Sequence, residues 1–248
     1  MNQVMIITGG SRGIGAATAR LAATRGYAVC VNYRQDHVAA DRVVADLRAA
    51  GARAIAVAAD VAVEADIVRL FATVDREFGP VSALVNNAGI LGTMNRVETA
   101  DLARLQQIYA TNVFGTILCA REAIRRMSLR HGGRGGAIVN LSSGAARSGA
   151  PGQYIDYASS KGAIDTFTVG LAREVGADGI RVNAVRPGFI RTEIHDSTGE
   201  PNRLERLKGL VPMKRAGEAS EVATSILWLC SDEASYTSGA IIDVGGGK

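Results

Sequence analysis

Short apolar runs alternate along the chain with longer amphipathic stretches, and glycine-rich turns separate them. Residues 4–7 (Val4, Met5, Ile6, Ile7) form the first run, of a length and composition that suit a strand buried on both faces. They lead directly into Thr8-Gly9-Gly10-Ser11-Arg12-Gly13-Ile14-Gly15 and then into an alanine-rich helical stretch over residues 16–24. The same unit recurs down the chain. The pattern predicts further strands over 27–33, 54–59, 82–85, 137–141, 181–185 and 240–244, and further helices over 37–50, 67–78, 158–175 and 218–230. In residues 37–50, Val38, Val43, Val44 and Leu47 share one face. A long helical stretch from about 99 to 127 carries Asn112 among apolar and small neighbours. Asparagine is a poor mid-helix residue, and apolar surroundings demand partners for its amide. Asn112 therefore marks either a local distortion that holds a water or a satisfied core amide.

Strand and helix alternate through residues 1–248 with short connections, without repeats, low-complexity tracts or linkers. This order predicts an α/β fold in one domain: a doubly wound, seven-stranded parallel sheet with helices on both faces. In such a sheet the carboxyl ends of the strands share one edge, and ligands bind there. The edge receives the first glycine turn, then Asn86-Asn87-Ala88-Gly89, Ser142-Ser143 and Pro187-Gly188. Residues 189–215, irregular and charged and with Pro201 and Pro212, are expected to form a mobile lid beside a substrate.

The glycine turn stands between a strand and a helix, the context a dinucleotide site needs. Glycines let the backbone approach a pyrophosphate, and the helix N-terminus offers it free N–H groups. The second strand ends Val31-Asn32-Tyr33-Arg34, without the acid that would bind the adenosine ribose hydroxyls. Arg34 and Arg12 instead suit a 2′-phosphate, so NADP is favoured over NAD; the alternative is that Arg34 opens a solvated loop. Asp60, just before Val61 and past the third strand, either accepts from the adenine amino group or caps the helix that begins near Glu64.

Tyr157-Ala158-Ser159-Ser160-Lys161 supplies the candidate chemistry. A tyrosine and a lysine four apart lie on one helical face, one turn from each other. A free phenol titrates near ~10, and a positive charge held close favours its ionised form. Such a tyrosine can give a proton to a carbonyl or take one from an alcohol near neutral pH. Ser143, at a strand end, is placed to hydrogen-bond the substrate oxygen.

Composition narrows the setting. Apolar residues are 47% and charged residues 21%, as in soluble globular proteins. No apolar run approaches a membrane span, and the N-terminus reads as a strand and not a signal peptide, so a cytoplasmic location and no membrane partner are expected. The net charge of +4 is spread along the chain and does not argue for nucleic acid. Cys30, Cys119 and Cys230 sit in apolar segments as core residues. His37, His131 and His195 have no ligand spacing, so no metal is expected.

With the glycine turn, Asp60, Asn86-Asn87-Ala88-Gly89, Asn112, Ser143, Tyr157 with Lys161, and Pro187-Gly188 with Thr192 in order, the chain resembles the classical short-chain dehydrogenase/reductase family over essentially its full length. The resemblance implies a Rossmann-type fold and an NADP(H)-dependent interconversion of a carbonyl and a secondary alcohol. It implies Tyr157 as acid/base, Lys161 as the group that acidifies it and holds the nicotinamide ribose, Ser143 as the orienter of the carbonyl, and Asn112 as the holder of a relay water. Gly9, Gly13 and Gly15 would shape the pyrophosphate turn, with Ser11, Arg12 and Ile14 beside the phosphates. Asn32, Tyr33, Arg34, Asp60 and Val61 would lie at the adenosine end, together with Asn86. Asn87, Ala88, Gly89, Pro187, Gly188 and Ile190 would line the dinucleotide groove, and Thr192 would meet the carboxamide. Family members are usually homotetramers. The spacing from Ser143 to Tyr157 is one residue longer than is usual, which alters the pocket floor, brings Tyr154 within reach of the pocket and leaves Ser142 as a substitute for Ser143. A 3-oxoacyl carrier-protein reductase and a glucose-type sugar dehydrogenase are alternatives within the family. A dinucleotide-sensing regulator without catalysis is the alternative outside it, disfavoured by the intact Ser143, Tyr157 and Lys161.

Overall fold

The computed structural model describes residues 3–194, 200 and 203–248. Seven strands, β1 (Gln3–Ile7), β2 (Tyr27–Tyr33), β3 (Ala54–Ala58), β4 (Ala83–Asn86), β5 (Gly136–Leu141), β6 (Ile180–Pro187) and β7 (Ile241–Val244), form one parallel sheet in the order β3-β2-β1-β4-β5-β6-β7. The helices are α1 (Gly13–Thr24), α2 (His37–Ala49), α3 (Glu64–Phe78), α4 (Leu102–Tyr109), α5 (Gly115–Met127), α6 (Ala145–Ser148), α7 (Ile155–Val175), α8 (Arg203–Leu207) and α9 (Ala219–Cys230). This is the expected doubly wound, Rossmann-type arrangement.

Successive residues of a strand point to opposite faces, so a sheet covered on both faces needs unbroken apolar strands. Met5, Ile7, Val29 and Val31 enter one core with Ala19 of α1, Leu47 of α2 and Leu227 of α9. Val4, Ile6, Ala28 and Cys30 enter the other with Phe71 of α3, Cys119 of α5 and Leu171 of α7. The chain leaves β1 toward β2 and β3, then returns to β4 on the other side of β1. The reversal opens the crevice between the β1 and β4 ends, and Thr8 spans it. Its hydroxyl donates to the Val85 carbonyl (3.4 Å) and accepts the N–H groups of Asn87 and Ala88 (3.0 Å each).

Two elements differ from the sequence pattern. The helical stretch expected from 99 to 127 is broken into a 3₁₀ turn (Val97–Thr99), α4, a π turn (Ala110–Phe114) and α5. Asn112 lies in the π turn, so the local distortion is present, and its amide is also satisfied within the protein. The short α6, between Ser143 and Tyr157, has too few residues for a period to register. Of the expected lid, α8 and a 3₁₀ turn (Lys208–Leu210) are described. Residues 195–199 and 201–202, and with them His195 and Pro201, lie outside the described residues. No helix among the described residues is long and apolar enough to cross a membrane.

Buried polar contacts fix α7 to the sheet. The Asn86 amide donates to Asn140 Oδ1 (2.9 Å), the Asn140 amide donates to Thr168 Oγ1 (2.9 Å), and Thr168 donates to the Ile164 carbonyl (2.8 Å). Each such bond contributes about 1 kcal/mol net, and leaving one partner unpaired costs more. At the start of α7, Arg104 Nε of α4 donates to Asp156 Oδ2 (2.5 Å), while Asp156 Oδ1 accepts the Tyr157 N–H (2.8 Å). Asp156 is buried, so this pair locks the first turn of α7 against α4.

Candidate active site

The glycine turn adopts conformations that side chains disfavour. Gly9 has φ +61° and Gly13 φ +52°. A Cβ on Gly15 would lie 2.4 Å from the Gly9 carbonyl oxygen and 2.7 Å from Asn87 Nδ2, so α1 packs against the turn without room for a side chain. The Asn87 amide donates to the Thr8 and Gly9 carbonyls (2.9 Å each). Asn32, near the end of β2, is expected at the adenosine end of the dinucleotide. Its side chain is instead buried scaffold, accepting the Gly9 N–H (3.3 Å) and donating to the Val57 (3.2 Å) and Ala59 (2.9 Å) carbonyls. Asn86 likewise spends its amide inside the protein, on Asn140. At the start of α1, Arg12 caps the helix without a side-chain hydrogen bond, and the first turn contains no acid. Ser11 is half-buried beside it.

At the adenosine end, Arg34 is half exposed and lies 3.9 Å from Asp60 Oδ2. Asp60 Oδ1 accepts the Ala62 N–H (2.9 Å), and the residue capping α3 is Val63. The capping alternative for Asp60 is therefore replaced by a local turn. Tyr33 packs partly buried against the first core. Val61 is buried beneath Gly115, where a Cβ would meet its carbonyl oxygen at 2.7 Å.

Tyr157 and Lys161 are one turn apart on α7, with Lys161 Nζ 5.7 Å from the Tyr157 ring centroid. Lys161 is only 4% exposed and donates to the Leu141 carbonyl at the end of β5 (2.6 Å). Burial lowers its pKa to about 8, against an opposing pull from Asp165. Gly89 lies against Lys161 and Asn112: a Cβ there would be in van der Waals contact, 3.4 Å, with both Lys161 Nζ and Asn112 Oδ1. Asn112 Oδ1 accepts the Ile90 N–H (2.9 Å), and its amide donates to the Ile90 carbonyl (3.0 Å) and Ser160 Oγ (3.1 Å). Asn112 thus links the loop after β4 to the tyrosine–lysine turn.

The two serines after β5 have different surroundings. Ser142 is buried and donates to the Lys161 carbonyl (3.3 Å). Ser143 is only partly buried and accepts the Ala145 N–H at the start of α6 (3.1 Å). Ser143 is therefore the serine that can meet a ligand. Between Ser143 and Tyr157 the chain turns with positive φ at Gly149, Ala150 and Gly152. Tyr154, expected within reach of the pocket, is 2% exposed and buried at the head of α7.

Across the groove, the Pro187 carbonyl accepts the Gly144 N–H (3.0 Å), and the Gly188 N–H donates to Val244 (2.9 Å). Ile190 is buried in the first core and bridges to Gly217. Thr192 comes back over the glycine turn: a Cβ on Gly13 would lie 3.1 Å from Thr192 Cγ2. The structure thus brings Thr192 to the glycine turn, the turn to Ala88, and Gly89 to Lys161 on the Tyr157 helix, while Ser143 follows the end of β5 that Lys161 meets. Sequence reasoning passed over Asp165, although its spacing of four from Lys161 was visible. It also passed over Arg186 as a partner, which only the sheet register reveals.

Residues 9–248 match a family model described as "Enoyl-(Acyl carrier protein) reductase". The chain is 54% identical over 245 residues to the "Uncharacterized oxidoreductase YgfF" of Escherichia coli K12, covering 99% of each. It is 38% identical over 248 residues to a 3-oxoacyl-[acyl-carrier-protein] reductase of Synechocystis, covering 99% of this chain and 96% of that one. Among solved structures, it is similar to a Serratia marcescens short-chain dehydrogenase/reductase mutant, with TM-score 0.90, 33% identity and coverage of 99% and 97%. The chain belongs to the short-chain dehydrogenase/reductase family. The chain is also similar to a blue fluorescent protein from a metagenomic library in complex with NADPH, with TM-score 0.91, 32% identity and coverage of 99% and 97%.

As a short-chain dehydrogenase/reductase, the enzyme is an oxidoreductase that works with a nicotinamide dinucleotide. Its own residues fit that group. The glycine turn excludes a Cβ at Gly15, and the uncapped, acid-free start of α1 presents N–H groups to an anion. Gly15→Ala is expected to weaken NADPH binding by at least about tenfold, because the methyl displaces the Gly9 carbonyl and reshapes the turn. Titration of NADPH fluorescence with wild type and variant checks this.

Proposed function

We propose that the enzyme interconverts a carbonyl compound and a secondary alcohol with NADP(H), Tyr157 being the general acid/base. The observation that carries the reading is the buried Lys161 ammonium one turn from Tyr157, held to the Leu141 carbonyl at the end of β5, the strand that Ser143 follows. Bound NADPH supplies the reducing equivalent to the carbonyl carbon. Ser143 Oγ hydrogen-bonds the carbonyl oxygen and orients it. Tyr157 Oη gives that oxygen its proton, and takes it back in the oxidative direction. Lys161 Nζ stabilises the phenolate left behind and holds the ribose of the cofactor. Asn112 fixes the Ile90 loop and the Ser160 turn, and a water at the π turn would return the proton to Tyr157.

NADPH is preferred in this reading because Arg34 closes β2 without an acid and Arg12 stands at the head of α1. Asp60 is the partner Arg34 would exchange for a 2′-phosphate. The complex of a similar protein with NADPH supports the choice. Ser11, Gly13 and Ile14 bind phosphates, Val61 and Asp60 face adenine, and Thr192, reaching over Gly13, meets the carboxamide. A homotetramer in the cytoplasm belongs to the same reading, and exposed Leu102, Phe114 and Ile117 offer apolar surface for chain–chain contact.

A second reading, reduction of a 3-oxoacyl group on a carrier protein, is favoured by the similarity to the Synechocystis reductase. Against it, Arg130, one of the basic residues that would meet an acidic carrier, is already paired to Asp178 (2.6 Å). A panel of ketones, acyl thioesters and sugars, assayed with NADPH and NADH, separates the substrate classes. Tyr157→Phe is expected to lower kcat by about 10³-fold while NADPH Kd stays within about threefold. Retained turnover excludes Tyr157 as the acid. Arg34→Ala is expected to reduce the preference for NADPH over NADH by about tenfold, the worth of one charged hydrogen bond. An unchanged ratio of kcat/KM values excludes Arg34 as the phosphate ligand.

A further inference from the structure

The side chain that follows Lys161 on its helical face is a carboxylate. Asp165 is one turn further along α7, so Tyr157, Lys161 and Asp165 recur at intervals of four. Asp165 is nearly buried, at 12% side-chain exposure. Its Oδ2 accepts both Arg186 Nε (3.0 Å) and Nη2 (2.8 Å) from β6, while Oδ1, also buried, has no hydrogen-bond partner among the described residues. Arg186 is itself 18% exposed and pairs in register with Asp243 of β7, Nη1 to Oδ1 3.9 Å. Asp243 Oδ2 then accepts Arg147 of α6 (2.7 Å), the short helix that follows Ser143. A line of alternating charges runs from Lys161 through Asp165, Arg186 and Asp243 to Arg147.

We propose that Asp165, clamped by Arg186, is a positioning residue: the counter-charge that keeps the buried Lys161 ammonium protonated beside Tyr157. The inference rests on the role given to Lys161 above. A lysine as buried as this one tends to lose its proton, and a neutral amine would do nothing for a phenolate. Of the groups around Lys161, Asp165 is the acid on its own helical face. On α7 they are Tyr157 and Asp165. From β5 comes the Leu141 carbonyl, and from the π turn the uncharged Asn112. Arg186 comes from β6, with Asp243 of β7 and Arg147 of α6 behind it. Arg104 of α4 is committed to Asp156. Arg186 sets how much of the Asp165 charge is left for the lysine. Removing either partner therefore moves the lysine in opposite directions, which loss of packing would not do.

The experiment follows the protonation of Lys161 directly. The chain contains only Lys161, Lys208, Lys214 and Lys248, so protein labelled with [ε-¹³C]lysine gives one signal from the interior and few others. The signal is assigned with Lys161→Met and titrated in the full-length enzyme without cofactor. In Asp165→Asn the midpoint is expected to fall by about one pH unit, and Asp165→Glu is expected to restore it. In Arg186→Met it is expected to rise. An unchanged or raised midpoint in Asp165→Asn overturns the proposal. Should that variant not fold, an unchanged or lowered midpoint in Arg186→Met does so. The titration needs no turnover, so its failure is distinct from failure to find carbonyl reduction with NADPH, which would instead remove the reading of the reaction.

Discussion

Lys161 carries an ammonium into an interior where it is 4% exposed, and a buried charge is tolerated only with partners close by. Much of the surrounding structure is arranged to that end. The end of β5 gives it the Leu141 carbonyl, and Asp165 on the next turn supplies negative charge. The position of α7, and so of Tyr157, is fixed in turn by bonds reaching inward. Thr168 holds it to Asn140 of β5, Asp156 holds its first turn to Arg104, and Ser160 holds it to Asn112. The helix is anchored at its head and along its sheet-facing side, which suits a proton donor that must meet its acceptor to within a fraction of an ångström.

The same economy of contacts builds the dinucleotide half. Thr8, Asn32 and Asn87 are polar residues in or beside the sheet, and their side chains are spent on backbone groups of the glycine turn and its neighbours. They fix the turn by hydrogen bonds to its backbone. The groove itself is left to glycines, to the open N–H groups of α1 and to the arginines at its far end. In the proposed use of NADPH, specificity for phosphate would come from backbone geometry near the pyrophosphate and from guanidinium charge near the ribose.

The fold was legible because a sheet covered on both faces leaves an unmistakable trace. Val29, Cys30 and Val31 are all apolar and all buried, though they alternate between two cores. The position of Tyr157 and Lys161 was legible because helical spacing alone puts them on one face. What the sequence did not reveal depends on long-range register. That Asn32 serves the Gly9 turn and β3, or that Arg186 meets Asp165, follows from neighbours 21 or more positions away. The π turn was legible only as a misplaced asparagine. The burial of Tyr154 was not legible because chain spacing locates a residue along the backbone and not the direction of its ring.

The central claim is that the Lys161 charge acidifies the Tyr157 phenol. Ultraviolet difference titration of phenolate, with the Tyr157→Phe spectrum subtracted, measures it most directly. Burial pushes Tyr27 up to about 12, so it stays out of the working range. The account predicts that Tyr157 ionises at a distinctly lower pH in the wild type than in Lys161→Met. Ionisation at the same pH in both proteins would contradict it.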